Sequence, residues 1–211
     1  MGSLVMHLCV ANKLKDKYQF SDKFVIGVLM PDLLKFAGKD KDLTHYLEDV
    51  IEESGVKRLP NVLKYEQDNE ENLQDEKTLG YISHLIQDKV WFDKYIGKYA
   101  KTDANDTDKV KYLEYNITKT GEEFAKDMYN DYDNINKYLI KKYDLKLDSL
   151  KNALKNIAPD ENFINRIDRC LVVNDIDFTS NNTFITKEDL DTYINEAIKK
   201  SSIEINKILG K

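Results

Sequence analysis

Cysteine is almost missing from this 211-residue chain, which carries only Cys9 and Cys170. Two isolated thiols cannot form a disulfide framework and lack the paired spacing of a thiolate metal site, so both read as buried thiols. Glycine and proline are scarce as well, at 8 and 3 residues, which leaves too few turn formers for an all-β chain. No apolar run is long enough to span a bilayer. An excess of positive charge is also lacking: 32 basic residues against 38 acidic give a net charge of −6. This excludes a broad basic face for nucleic acid or an anionic membrane, while leaving room for a local positive site. With 41% hydrophobic and 33% charged residues, the composition is that of a globular protein and not of a disordered one. Histidine is the most informative scarcity. Only three occur, His7, His45 and His84, all in the first half of the chain.

The first residues have no basic n-region, their apolar stretch is broken by His7, and no small-residue cleavage site follows. They read as mature, cytoplasmic protein. Gly2 does not open an acylation motif, because Met6 stands where Ser or Thr is required. In a cytoplasmic chain the sequons at Asn116 and Asn181 carry no function.

Apolar periodicity predicts an all-α protein, a multi-helix bundle around a central helix that bears His and Asp. Leu4, Leu8, Ala11 and Leu14 recur at helical spacing over Leu4–Tyr18. A short apolar segment, Phe24–Met30, meets Pro31-Asp32; a turn around Gly38–Asp42 precedes expected helices over Leu43–Glu53 and Asn61–Asn72, broken at Gly55. Acidic residues over Asp68–Glu76 read as a solvated connection. The strongest expected helix is Thr78–Tyr99, on which Tyr81, His84, Asp88, Trp91 and Tyr95 form one stripe while most of the remaining circumference is apolar too. A helix apolar on most sides is central, so this stripe faces the interior or a cleft. Burying Asp88 without a cation or several donors there would cost several kcal/mol. Lys101–Lys109 reads as a polar loop, with helices over Tyr112–Ile117 and Thr120–Tyr143. Asp148–Ile157 and Glu161–Val172 read as short helices, and Asn174–Phe184 as a loop. Thr186 with Asp189 caps a last helix through Leu209. The expected organisation is a metal-binding helical core over 1–145 with a C-terminal helical extension over 146–211, one domain overall.

His84 and Asp88 stand four residues apart, a spacing that can chelate one metal ion but also that of an ordinary hydrogen-bonded couple. His7 and His45 taken singly read as satisfied core histidines. The series is more specific than its parts: His7, then Pro31-Asp32, then Thr44-His45-Tyr46, then Gly80-Tyr81-Ile82-Ser83-His84 with Asp88 and Trp91. It resembles the ligand series of the zinc-dependent phospholipase C family, whose all-helical fold is shared with the single-strand-specific zinc nucleases. Every histidine in the chain falls on one of that family's ligand roles, within about the first 100 residues.

The resemblance implies that Asp32, His45, His84 and Asp88 enclose one zinc, and that Asp88 bridges to a second ion held partly by His7. It further implies a phosphoesterase in which metal-activated hydroxide attacks a phosphodiester, with Asp32 as ligand and general base. The ion would supply the local positive charge that an acidic protein needs to bind a phosphate ester. The family's further histidines are missing after His84, so a trinuclear centre is not expected. Glu122, Glu123, Asp127, Asp131 and Asp133 could offer oxygen ligands but read first as a solvated helix face. The family's secreted members also use their processed amino terminus as a ligand, a role not carried across here. The other helical phosphohydrolase superfamily needs a His-Asp dipeptide, which none of the three histidines provides. The non-enzymatic alternative is a helical protein that keeps a structural metal or binds a partner through tyrosine-rich surfaces, with 13 Tyr available.

Overall fold

Ser3 opens the first helix, α1 (Leu4–Tyr18), by accepting a hydrogen bond from the Met6 backbone N–H. Gln19 closes it in the left-handed conformation. The computed structural model describes residues 2–52, 55–103, 106, 108–148, 151, 155, 161, 165, 182 and 184–211. The apolar segment ahead of Pro31 does not stop there: α2 runs over Asp22–Phe36 with Pro31 inside it. Proline has no N–H to complete the helical ladder, yet burial of Phe24, Val28, Leu29 and Leu33 holds the helix together. After the single turn α3 (Lys41–Thr44) and α4 (Val62–Asp68) comes α5 (Glu76–Val90), capped by Asp75, which accepts from the Lys77 and Thr78 N–H groups. Its last turn widens into a π-helical turn over Trp91–Ile96. α6 (Gly121–Lys142) starts with a reciprocal Thr120/Glu123 capping box, and α7 (Lys187–Leu209) with Thr186.

The expectation of an all-α chain is overturned. Beside these seven helices the described residues form a five-stranded antiparallel sheet in sequential order: β1 (Leu47–Glu52), β2 (Gly55–Pro60), β3 (Ala100–Thr102), β4 (Lys109–Tyr112) and β5 (Ile117–Thr120). The stretch expected as a helix over Leu43–Glu53 is, across its described residues 43–52, the end of the α3 turn followed by a strand; Tyr112–Ile117 is the connection between two strands; and the loop expected over Lys101–Lys109 ends in strands on both sides. β1 pairs with β2 along its whole length, whereas β2 meets β3 only at Val56 and Thr102. The helices expected over Asp148–Ile157 and Glu161–Val172, and Cys170 with them, lie almost wholly outside the described residues.

The stripe on α5 is buried throughout, from Tyr81 to Tyr95. Its neighbour α2 comes to backbone contact, because neither helix has a side chain at the crossing. A Cβ added at Gly80 would stand 2.1 Å from the Phe24 carbonyl oxygen, and one at Gly27 2.0 Å from that of Lys77. No helix among the described residues is long and apolar enough to cross a membrane.

Candidate metal centre

Four elements deliver the five expected residues to one place. His7 comes from α1, Asp32 from α2, His45 from the end of α3, and His84 and Asp88 from successive turns of α5. None is more than 3% exposed. The His7 and His84 rings stack with centroids 4.1 Å apart, and His45 meets His84 edge-on at 5.1 Å. Asp88 is central. Its carboxylate stands 3.4 Å from His7 Nε2, 3.6 Å from His84 Nε2 and 3.8 Å from His45 Nε2, and it accepts a 2.8 Å hydrogen bond from the Gly2 N–H. Asp32 Oδ1 lies 3.4 Å from His45 Nε2.

Each imidazole is held by its other nitrogen. His84 Nδ1 lies 2.7 Å from the Val28 carbonyl oxygen, which can only accept, so Nδ1 carries the proton and Nε2 is left with a bare lone pair. His7 Nδ1 is 3.0 Å from Gln87 Oε1, and the Gln87 amide is oriented by donating through Nε2 to Ser83 Oγ, which in turn donates to Ser201 Oγ on α7. With Gln87 Oε1 facing it, His7 Nδ1 donates, which turns Nε2 toward Asp88. His45 Nδ1 bonds the Thr44 hydroxyl at 2.9 Å. Thr44 is itself fixed by the Tyr81 hydroxyl, which donates to its carbonyl.

The three Nε2 atoms and Asp32 Oδ1 are buried without any hydrogen-bond partner. Orphaned buried polar atoms are rare and costly; four of them converging is the pattern of a coordination shell. Ligand atoms of His7, Asp32 and His84 lie within 4.8 Å of one another, as do those of His45, His84 and Asp88. His84 belongs to both groups. Imidazole nitrogen with carboxylate oxygen is the donor set of zinc, and the residues fit that ion.

The electrostatics support this. Burial works against a charged His7, but Asp88, Asp32 and Gln87 outweigh it and raise its pKa above the ordinary value. Burial pushes His84 down to about 4, helped by the neighbouring His7. Burial would favour neutral carboxyls, yet the facing imidazoles draw Asp32 down to about 2, and the amino terminus of the chain, His7 and His84 hold Asp88 well below the carboxylate range. Two ionised carboxylates at full burial require cations, a demand that protonated imidazole or a bound metal ion can meet.

No family model, curated protein or solved structure matches the chain. The likeness to the zinc-dependent phospholipase C family therefore rests on the five positions alone.

The carboxylates of α6 go elsewhere. Asp127 accepts from Tyr112 Oη and Lys119 Nζ, Glu123 completes the helix cap, and Asp131 accepts from the Phe184 N–H. Among the described residues Glu122, Glu123, Asp127, Asp131 and Asp133 join no metal-competent group. Gln87, Thr44 and the Val28 carbonyl escape sequence reasoning, because only the fold shows which atoms face a histidine Nδ1. So does a cavity of about 370 Å³ between the sheet and the end of α5, lined by Asp88 together with Lys41, Lys57, Arg58 and Lys101. Outer-shell partners of this kind are worth about 10–100-fold in metal affinity. Gln87→Leu is expected to weaken zinc binding by that factor, measured by competition with a chromophoric chelator, with little loss of helicity. Unchanged affinity would show that Gln87 does not fix the His7 tautomer.

Proposed function

We propose that this protein is a zinc-dependent phosphoesterase-like hydrolase resembling zinc-dependent phospholipase C, acting on a phosphodiester with one or two ions held by His7, Asp32, His45, His84 and Asp88. The observation that carries the reading is the set of four buried, unpartnered ligand atoms converging beside a carboxylate that also lines a cavity. Zinc supplies a bound water with a pKa near 7 and polarisation of a phosphoryl oxygen. The chain's own residues supply the rest. With the ion bound, His7, His45 and His84 would turn their Nε2 atoms to it, and the apolar packing of α1, α2 and α5 buries all three. Asp32, ionised across the working range, would accept a proton from the attacking water and return it to the alkoxide that leaves phosphorus. We place the protein in the cytoplasm from its use of cysteine.

Purification without chelator is expected to yield about one or two zinc equivalents. Turnover of bis(p-nitrophenyl) phosphate or a phosphocholine ester should be lost in Asp32→Asn. Because His7 is held above its ordinary value, the metal-free protein keeps a proton there up to higher pH. Zinc must displace it, so zinc affinity falls as pH is lowered and binding releases the His7 proton. Calorimetry in buffers of different ionisation enthalpy counts that proton. A protein that binds no zinc at any pH sinks the reading. The near-complete burial of all five ligands favours a second reading, a structural metal, and a zinc-replete but inert protein would decide for it.

A further inference from the structure

The sheet that the sequence conceals places four basic side chains around the cavity beside Asp88. Three are already neutralised. Lys57 bonds Glu52 and Asp93, each at 2.8 Å; Arg58 bonds Asp42 at 2.7 Å and Asp49 at 3.0 Å; and Lys101 bonds Glu52 at 2.9 Å. Lys41 is different. Among the described residues its ammonium has neither an ion pair nor a hydrogen bond. Its position is fixed by the turn that delivers a ligand: the His45 N–H donates to the Lys41 carbonyl at 2.9 Å, so Lys41 lies one helical turn ahead of His45 on the same face. It lines the same cavity as Asp88 and is itself exposed, and Asp88 and Asp32 both favour its charged form.

The charge count then becomes selective. In the one-ion form of the centre, Asp32 and Asp88 balance the divalent charge, so the loaded site is close to neutral and Lys41 contributes the unmatched positive charge at its edge. We propose that Lys41 is a substrate-positioning residue that holds a non-bridging oxygen of a phosphodiester monoanion against the metal centre, and that it favours this monoanion over phosphomonoester dianions. The assignment rests on the phosphoesterase reading and adds to it a residue and a charge class. Ammonium suits the task, as a compact point charge on a flexible stem that can follow the phosphoryl group through the reaction. A dianion would leave one charge unmatched in the same cavity.

Three measurements on zinc-loaded full-length protein test this. Calorimetric titration with dimethyl phosphate reads binding without turnover; bis(p-nitrophenyl) phosphate and p-nitrophenyl phosphate give KM and kcat for diester and monoester; and chelator competition gives zinc affinity. Lys41→Met is expected to weaken dimethyl phosphate binding and raise the diester KM by about tenfold or more, with kcat changed much less. Its zinc affinity should be equal to or higher than wild type, because a positive charge near the ion is gone, and Lys41→Arg should restore most of the diester binding. The preference for diester over monoester should shrink in Lys41→Met. Equal dimethyl phosphate affinity and KM in wild type and Lys41→Met overturn the role of Lys41 while leaving the metal site standing. A weaker zinc affinity in Lys41→Met also overturns it, since the lysine would then be supporting the ligand shell. Failure of the wild type to bind zinc overturns both this assignment and the reading on which it rests.

Discussion

On the zinc reading, Asp88→Asn is expected to remove nearly all of the thermal stabilisation that zinc gives the wild-type protein. At zinc one hundred times its dissociation constant, an ion that binds only the folded state stabilises by about 2.7 kcal/mol. For a chain of this size that raises Tm by about 5–10 °C. Asp88 faces all three bare Nε2 atoms, at 3.4 to 3.8 Å, so its loss as a ligand should exceed the roughly 10–100-fold penalty of an outer-shell substitution. At the same zinc concentration the stabilisation then falls to about 0.4 kcal/mol or less. The asparagine is chosen because its amide oxygen can keep the Gly2 N–H bond and its shape is nearly that of aspartate. The same substitution removes the strongest group supporting the His7 charge, so the His7 titration followed by NMR should move down. Scanning calorimetry with and without zinc is the deciding measurement, and a full-sized zinc shift in Asp88→Asn would remove this carboxylate from the centre.

Gly80→Ala is expected to lower stability by about 1–3 kcal/mol, the cost of overpacking a close contact, and Tm by about 2–12 °C. Replacing glycine by alanine inside a helix ordinarily gains up to ~1 kcal/mol. Here the sign reverses, because the added Cβ would lie 2.1 Å from the Phe24 carbonyl oxygen and 2.8 Å from the Val28 nitrogen, both backbone atoms that cannot turn aside. The damage reaches the centre. Val28 supplies the carbonyl that fixes His84, so on the zinc reading pushing α2 off α5 is expected to weaken metal binding as well. Gly121→Ala serves as the control, since its nearest neighbour is at 3.8 Å, an ordinary contact, and its effect should stay within about 0.5 kcal/mol. Denaturant unfolding of the three proteins decides it, and a Gly80→Ala variant more stable than wild type would show that the helices do not meet at this crossing.

The helices that carry most of the core were legible because their apolar residues recur at the helical period and are then buried: α1, α5, α6 and α7 begin and end close to where the pattern places them. The sheet was not, for a physical reason visible in β1. Leu43, Leu47, Val50 and Ile51 imitate a helical face, but Leu43 is 75% and Ile51 81% exposed, so the pattern that implied a buried face is not used to build one. β4 does alternate, with Lys109 and Lys111 outward and Val110 and Tyr112 inward, yet four residues are too few to outweigh a charged background. The five site residues were legible because histidine is so rare that its positions are informative. Their supports were not, because the Val28 carbonyl has no identity in a sequence; nor was Lys41, which looks like any other lysine until the fold sets it beside the cavity.

The hydrogen-bond chain from His7 through Gln87 and Ser83 ends on Ser201, and this sets an order of events during biosynthesis. Ser83 and Ser201 are 118 residues apart, and all five ligands leave the ribosome long before α7 does. Until that helix docks, the Gln87 amide has lost the far end of its anchor and the proton on His7 is free to sit on either ring nitrogen. On the zinc reading, the centre reaches its full affinity only once α7 has docked, so metal loading is tied to the docking of that helix.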